Sequence, residues 1–251
     1  MVAGVGWSID AGVHRRDSRG MTSSREPGVN GRVIITREGL RDGSLLARVR
    51  ANLEPGMIVR SDAEIEASLD AMLAGCDPGS DVWLFAYGSL MWNPAFRYAE
   101  RQPGLLRGWH RRFCLWLRSG RGSPQQPGLM LALDRGGACY GLAYRLAAPA
   151  REELLLVWRR EMFGQAYAAR WVRVALGDGV VPAITFVVNR RFERYAGVLA
   201  DEVVAERLAT AGGALGTCGE YLDCTLGQLR TFGLRDRGLE RLEAMVGRAV
   251  G

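Results

Sequence analysis

The sequence predicts an α+β protein in which a small mixed sheet curls toward a barrel, with one helix inserted among its strands and several helices at its C-terminal end. Three observations carry this. From Val82 onward the apolar pattern breaks into short strand-length runs. One stretch among those runs, 150–163, switches to the spacing of a helix, and after about residue 200 the helical spacing takes over. A doubly wound parallel fold would instead place a helix after each strand.

In chain order, residues 1–30 show no sustained periodicity and are rich in Gly, Ser and Arg, which predicts a disordered leader; Met21 could be the true start. Residues 31–80 form a predicted helical extension with helices over 36–52 and 61–75. In the second, Ser61 is the N-cap, Glu64 follows three residues later, and Ile65, Leu69, Met72 and Leu73 share one face. The turn Asp77-Pro78-Gly79 ends this preamble. The main domain, 81–251, has predicted strands at 82–87, 112–117, 129–134, 138–146, 171–175 and 183–188. Its helices are expected at 150–163, 201–211, 217–232 and 236–249, and no internal repeat is visible.

Composition narrows the chemistry. The 251 residues include 33 basic side chains, and all of them are arginine. Schiff-base lysines and the lysine of a phosphate-binding P-loop are therefore excluded. The net charge of +6 is concentrated early, since residues 1–50 hold nine arginines against five acids. Pairs such as Arg111-Arg112, Arg159-Arg160 and Arg190-Arg191 are scattered between acids and read as solvated faces, without the dense basic clusters of a nucleic-acid surface. Five cysteines, Cys76, Cys114, Cys139, Cys218 and Cys224, have no C-x-x-C spacing, so reduced thiols in the cytoplasm are expected. No apolar run approaches the length of a membrane span.

Two stretches stand out as chemistry. In "DVWLFAYGSLMWNP" an apolar strand runs into Gly88 and Ser89. A glycine there lets a ligand approach the main chain, and consecutive amides suit a carboxylate or a developing oxyanion; the plain alternative is a turn. In "EELLLVWRREMFGQAY", helical spacing puts Glu161 on the face of Leu154, Val157 and Trp158. A carboxylate on an apolar face has its pKa raised above the free value of about 4.3, which makes it a useful base near neutral pH. The alternative is a structural ion pair with Arg118, Arg121 or Arg145. A Ser89–His110 pair is disfavoured because Ser89 lacks a nucleophile-elbow context and His14 lies in the leader. Two unrelated histidines and dispersed cysteines make a poor zinc site.

Taken together, "VWLFAYGSLMWNPAF", "GWHRRFCLW", "RGSPQQPGLMLAL", "GLAYRL", "WRREM" and "EYL" resemble the ChaC-like family of glutathione-specific γ-glutamylcyclotransferases over about residues 81–232. The preamble from about 36 to 80 resembles the bacterial branch. The resemblance implies the γ-glutamylcyclotransferase-like fold, with Tyr87, Gly88, Ser89 and Leu90 holding the γ-glutamyl group and Glu161 as catalytic acid and base. It also implies substrate-binding positions at Arg112, Arg121, Tyr167 and Tyr221. Animal members have a shorter Glu-to-Tyr segment with paired glycines, where this chain has "EMFGQAY".

The implied reaction is intramolecular. The α-amine of the γ-glutamyl group attacks its own γ-carbonyl carbon, forming 5-oxoproline and releasing Cys-Gly without water, metal or cofactor. Holding a folded conformer supplies much of the rate. An arginine-rich cleft would attract the anionic tripeptide. Two alternatives remain open to the residues: a cyclotransferase for other γ-glutamyl amines or peptides, and a non-catalytic regulator binding a small acidic ligand on the same fold. Expected partners are the small-molecule substrate, with neither nucleic acid nor membrane.

Overall fold

The computed structural model describes residues 33–53, 57–177 and 179–250. The leader expected over 1–30, Met21 included, lies outside the described residues. The extension begins with α1 (Arg37–Arg41) and α2 (Ser44–Ala51), where the sequence predicts one helix. The break falls at Gly43, whose φ of 78° is left-handed. Helix α3 (Asp62–Leu73) starts as expected: Ser61 accepts from the Glu64 N–H, and the Glu64 carboxylate accepts from the Ser61 N–H.

The chain continues through β1 (Val82–Ala86), a one-turn α4 (Ser89–Trp92), β2 (Glu100–Leu117), β3 (Gly128–Leu146), α5 (Arg151–Glu161), β4 (Tyr167–Ala175) and β5 (Val180–Val188). Next come α6 (Asp201–Thr210), the two-residue strands β6 (Gly212–Gly213) and β7 (Gly216–Thr217), α7 (Cys218–Thr231) and α8 (Arg237–Val250). Strands β1-β3-β2-β4-β5 form a closed barrel, shut by parallel pairing of β5 with β1 through Trp83↔Ala183 and Leu84↔Ile184. The predicted mixed, barrel-like sheet is what forms.

Strands β2 and β3 are longer than predicted: β2 begins at Glu100, and β3 runs unbroken where two strands were expected. The pairing slips between Arg107 and Trp109, where Gly108 has φ 81° and faces Gly136 and Gly137 at φ 101° and 66°. Such a bulge breaks the period-2 alternation, and the glycines that permit it read as a turn in sequence.

Alternation along β1 assigns side chains to two cores. Phe85 joins Leu106, Leu133, Val174 and Val187, a cluster built from strands and filling the barrel. Leu84 and Ala86 join the larger core made with the helices, including Trp158 of α5 and Leu222 and Leu226 of α7. Leu46, Ile65 and Leu69 of the N-terminal helices lie in this same core. Trp158 donates its indole N–H to Ser68 Oγ at 3.1 Å, and Arg151 pairs with Asp70 at 2.8 Å.

Two of the three arginine pairs depart from the solvated faces expected of them. The Arg111 and Arg160 side chains are buried at 1% and 6% exposure, while Arg112 and Arg190 remain partly exposed. Neighbouring residues point to different sides of a strand or helix, so a pair on a packed element sends one member inward, whereas Arg190 and Arg191 lie in the turn after β5 and both stay exposed, as expected.

Candidate active site

Strand β1 ends at Ala86, and the next residues leave the barrel through Tyr87 and Gly88 into α4. A Cβ on Gly88 would lie 2.5 Å from the Tyr221 hydroxyl. Glycine is required because a buried phenol from α7 occupies that space. The Tyr221 oxygen in turn receives the Ser89 backbone N–H, and the Met91 N–H bonds to Gly88 O at 2.8 Å. A capping box of Thr217 and Glu220 starts α7 and places Tyr221 in its second turn.

Helix α5 buries Leu154, Val157 and Trp158, and the same face carries Glu161, its last residue. Burial raises the Glu161 pKa, and the carboxylate keeps 14% exposure. A carboxylate at a helix C-terminus also faces the negative end of the helix dipole. The opposing influence is Arg160, whose Nε lies 3.2 Å from Glu161 Oε1. None of the three partners weighed from sequence fills this place: Arg145 pairs with Asp81 and Glu100 instead.

Arg160 is the residue sequence reasoning missed. Besides Glu161, it donates to Ser89 Oγ at 2.8 Å and to Asn93 O at 2.5 Å. It therefore ties the end of α5 to both ends of α4. Adjacent helical residues do not face each other, so spacing gave no sign of the Arg160–Glu161 pair; the helix terminus permits it. The following segment is clamped from the extension, as Arg60 donates through Nη1 to the carbonyls of Met162 and Gly164 and through its N–H to Phe163 O.

Tyr87, Tyr167 and Tyr221 surround the glutamate. Burial, followed by neighbouring negative or phenolic groups that include Glu161, raises the first two well above the usual tyrosine range. Burial and then Glu161 push Tyr221 up to about 12. All three are therefore neutral phenols near pH 7. Tyr167 donates to Leu131 O at 2.9 Å.

Arg121, 8% exposed, lies over the rings of Tyr221 and Trp92 at 5.3 and 5.9 Å and donates to Thr217 O at 2.7 Å. Burial lowers its pKa. Among the described residues no carboxylate lies within ion-pair distance of it.

The structure thus gathers Tyr87, Gly88, Ser89, Glu161, Tyr167, Tyr221 and Arg121. Leu90 is buried in the helix-facing core behind the loop. Arg112 belongs to another cluster, 3.7 Å from the buried Asp134, which also accepts from Arg190 and Tyr195. His110 Nδ1 faces Gly136 O at 2.9 Å while Ser89 Oγ receives Arg160, so no Ser–His pair forms.

A closed five-stranded barrel carrying helices on its outside is the fold of the γ-glutamylcyclotransferases. The crystal structure of a γ-glutamyl cyclotransferase specific to glutathione from yeast superposes with a TM-score of 0.61 at 19% identity. The match covers 68% of this chain and 100% of that one. The chain belongs to the ChaC-like protein family, whose model matches residues 82–249. It is 46% identical over 211 residues to the glutathione-specific γ-glutamylcyclotransferase of Escherichia coli (strain K12), covering 83% of this chain and 90% of that protein. A match of that extent reaches upstream of Val82, into the N-terminal helices. The γ-glutamylcyclotransferase 2-1 of Arabidopsis thaliana is 30% identical, over 56% of this chain and 70% of its own. No helix among the described residues is long and apolar enough to cross a membrane.

Proposed function

We infer that this protein is a glutathione-specific γ-glutamylcyclotransferase, converting the γ-glutamyl group of glutathione to 5-oxoproline and releasing Cys-Gly. The observation that carries the assignment of roles is Glu161, a buried carboxylate that Arg160 links directly to the Ser89 loop.

In this proposal the γ-glutamyl group lies against the Tyr87–Leu90 loop. Glu161 takes a proton from the substrate's α-ammonium, and the freed amine attacks the γ-carbonyl carbon. Attack leaves the γ-oxygen negative and the ring nitrogen with a surplus proton. As the oxyanion collapses and the bond to the cysteine nitrogen breaks, Glu161 returns the first proton to that departing nitrogen, then takes the surplus proton from the ring nitrogen and passes it to the Cys-Gly amine, which leaves as the ammonium. Burial and Arg160 act oppositely on the carboxylate, which suits a group that must both accept and donate. With the Ser89 N–H turned to Tyr221 and the Met91 N–H to Gly88, the Gly88 and Leu90 amides are assigned to the substrate carboxylate or oxyanion. Neutral Tyr87, Tyr167 and Tyr221 exclude water without repelling Glu161; the Tyr167 O–H is held by Leu131 O, so donation to the substrate falls to Tyr87 and Tyr221. Arg121 supplies positive charge for the tripeptide. Arg112 has no direct contact in this scheme, because Asp134 holds it.

We assign the chemistry to residues 81–251, with 31–80 as an extension packed on it. Five free thiols, three of them buried, support a cytoplasmic setting.

The test is incubation of the purified protein with glutathione, γ-glutamyl-alanine and γ-glutamyl-ε-lysine separately, with 5-oxoproline read by mass spectrometry. Product from glutathione alone, abolished in a folded Glu161→Gln variant, is expected. Product from another donor alone would overturn the substrate, and none from any donor would overturn the reaction.

A further inference from the structure

A cavity of about 540 Å³ adjoins the site, sharing Arg121 and Arg160 with it. Its volume is within the usual range for small-molecule sites. Helix α2 contributes Leu45, Arg48 and Val49 to the wall. Four guanidinium groups line the cavity, Arg48, Arg121, Arg159 and Arg160, and no acid does so among the described residues.

Two of the four are committed. Arg160 holds Glu161, Ser89 and Asn93, and Arg159 donates to the carbonyls of Leu40 and Arg41. Arg121 is buried with one hydrogen bond, to Thr217 O, and among the described residues no carboxylate forms an ion pair with it, Glu220 acting on it only from farther away. Arg48 is exposed at the wall and forms no ion pair among the described residues. A buried cation without a countercharge is costly unless something anionic meets it. An apolar cavity with two uncommitted cations therefore suits an anion with a small apolar body.

The cyclisation scheme leaves one end of its substrate unplaced. With the γ-glutamyl group at the Tyr87–Leu90 loop, the remainder projects past Glu161. Its terminal carboxylate lies two residues beyond the scissile amide, roughly 7 Å when extended. Arg160, which contacts Glu161 and also lines the cavity, marks the route.

We propose that this cavity is the subsite for the departing dipeptide, and that Arg48 of α2, together with Arg121, receives its terminal carboxylate. The proposal rests on the cyclotransferase reading above. It gives the N-terminal helices a part in substrate selection, although the chemical groups all follow residue 81.

Steady-state kinetics with glutathione and with glutathione amidated at its C-terminal carboxyl test this, for the native chain, Arg48→Gln and Arg48→Lys. In the native chain the amide should raise KM about tenfold with kcat little changed, as expected for loss of a charge-assisted hydrogen bond. Arg48→Gln should raise KM for glutathione by about the same factor and leave KM for the amide unchanged, with recovery in Arg48→Lys. Equal effects of Arg48→Gln on both substrates, or no effect on either, would overturn the subsite. Should the native chain make no 5-oxoproline from glutathione, the cyclotransferase reading fails instead, and calorimetry with Cys-Gly decides the subsite by itself. Binding that Arg48→Gln weakens about tenfold supports it, and absence of binding to the native chain overturns it.

Discussion

The Tyr221 hydroxyl stands 2.5 Å from the place a Cβ on Gly88 would take, so one residue sets the identity of the other across the fold. The next nearest atom, Tyr221 Cζ, is 3.7 Å from that place, an ordinary contact. Removing the hydroxyl therefore opens the space.

Gly88→Ala should thus destabilise the native chain by about 1–3 kcal/mol, as overpacking does. In a Tyr221→Phe background the larger part of that loss should vanish. Denaturant unfolding of both single variants and the double variant measures the coupling, and additive losses would contradict the geometry.

The Glu161 carboxylate predicts an acid limb in the pH profile of kcat/KM. Burial raises its pKa, so activity that needs the ionised base should fall with acidification at a midpoint above the ordinary glutamate value of about 4.3. Arg160 lowers that pKa, and losing its charge must raise it. Arg160→Gln should move the limb to higher pH, in addition to lowering kcat through loss of the Ser89 and Asn93 contacts. A limb that stayed in place or moved lower would show that Glu161 is not the titrating base.

Arg121 should trade stability for binding. Its guanidinium is buried without an ion-paired carboxylate among the described residues, and burial lowers its pKa. Arg121→Met keeps the bulk over Tyr221 and Trp92 while removing the charge. We expect no fall in Tm together with a rise of about tenfold in KM for glutathione. A loss of stability with KM unchanged would make Arg121 a structural residue.

Leu69 tests whether the extension is part of the folded core. It is fully buried, in one cluster with Leu154 and Trp158. Leu69→Ala should cost about 2–5 kcal/mol in a single cooperative transition, although Leu69 precedes the matched region 82–249. A separate low-stability transition in chemical unfolding would instead mark the extension as an independent unit.

The sequence by itself determined the local features: the capping box at Ser61 and Glu64, the strand that ends at Tyr87-Gly88, and the face of α5 that carries Glu161 with Leu154, Val157 and Trp158. Period and capping chemistry act within one element, so they can be read without knowing what the element meets. The resemblance then named the residues around the site. Tertiary structure alone decided the partners. Gly88 receives Tyr221 because β1 and α7 pack together, and Glu161 receives Arg160 because α5 stops there and its side chains can converge. It also left Arg112 with Asp134, and it kept β2 and β3 continuous through a glycine bulge that breaks their alternation. Spacing along a chain states which face is buried. Which distant face covers it depends on how whole elements fit together, and the cavity beside Arg48 and Arg121 exists only after that fit is made.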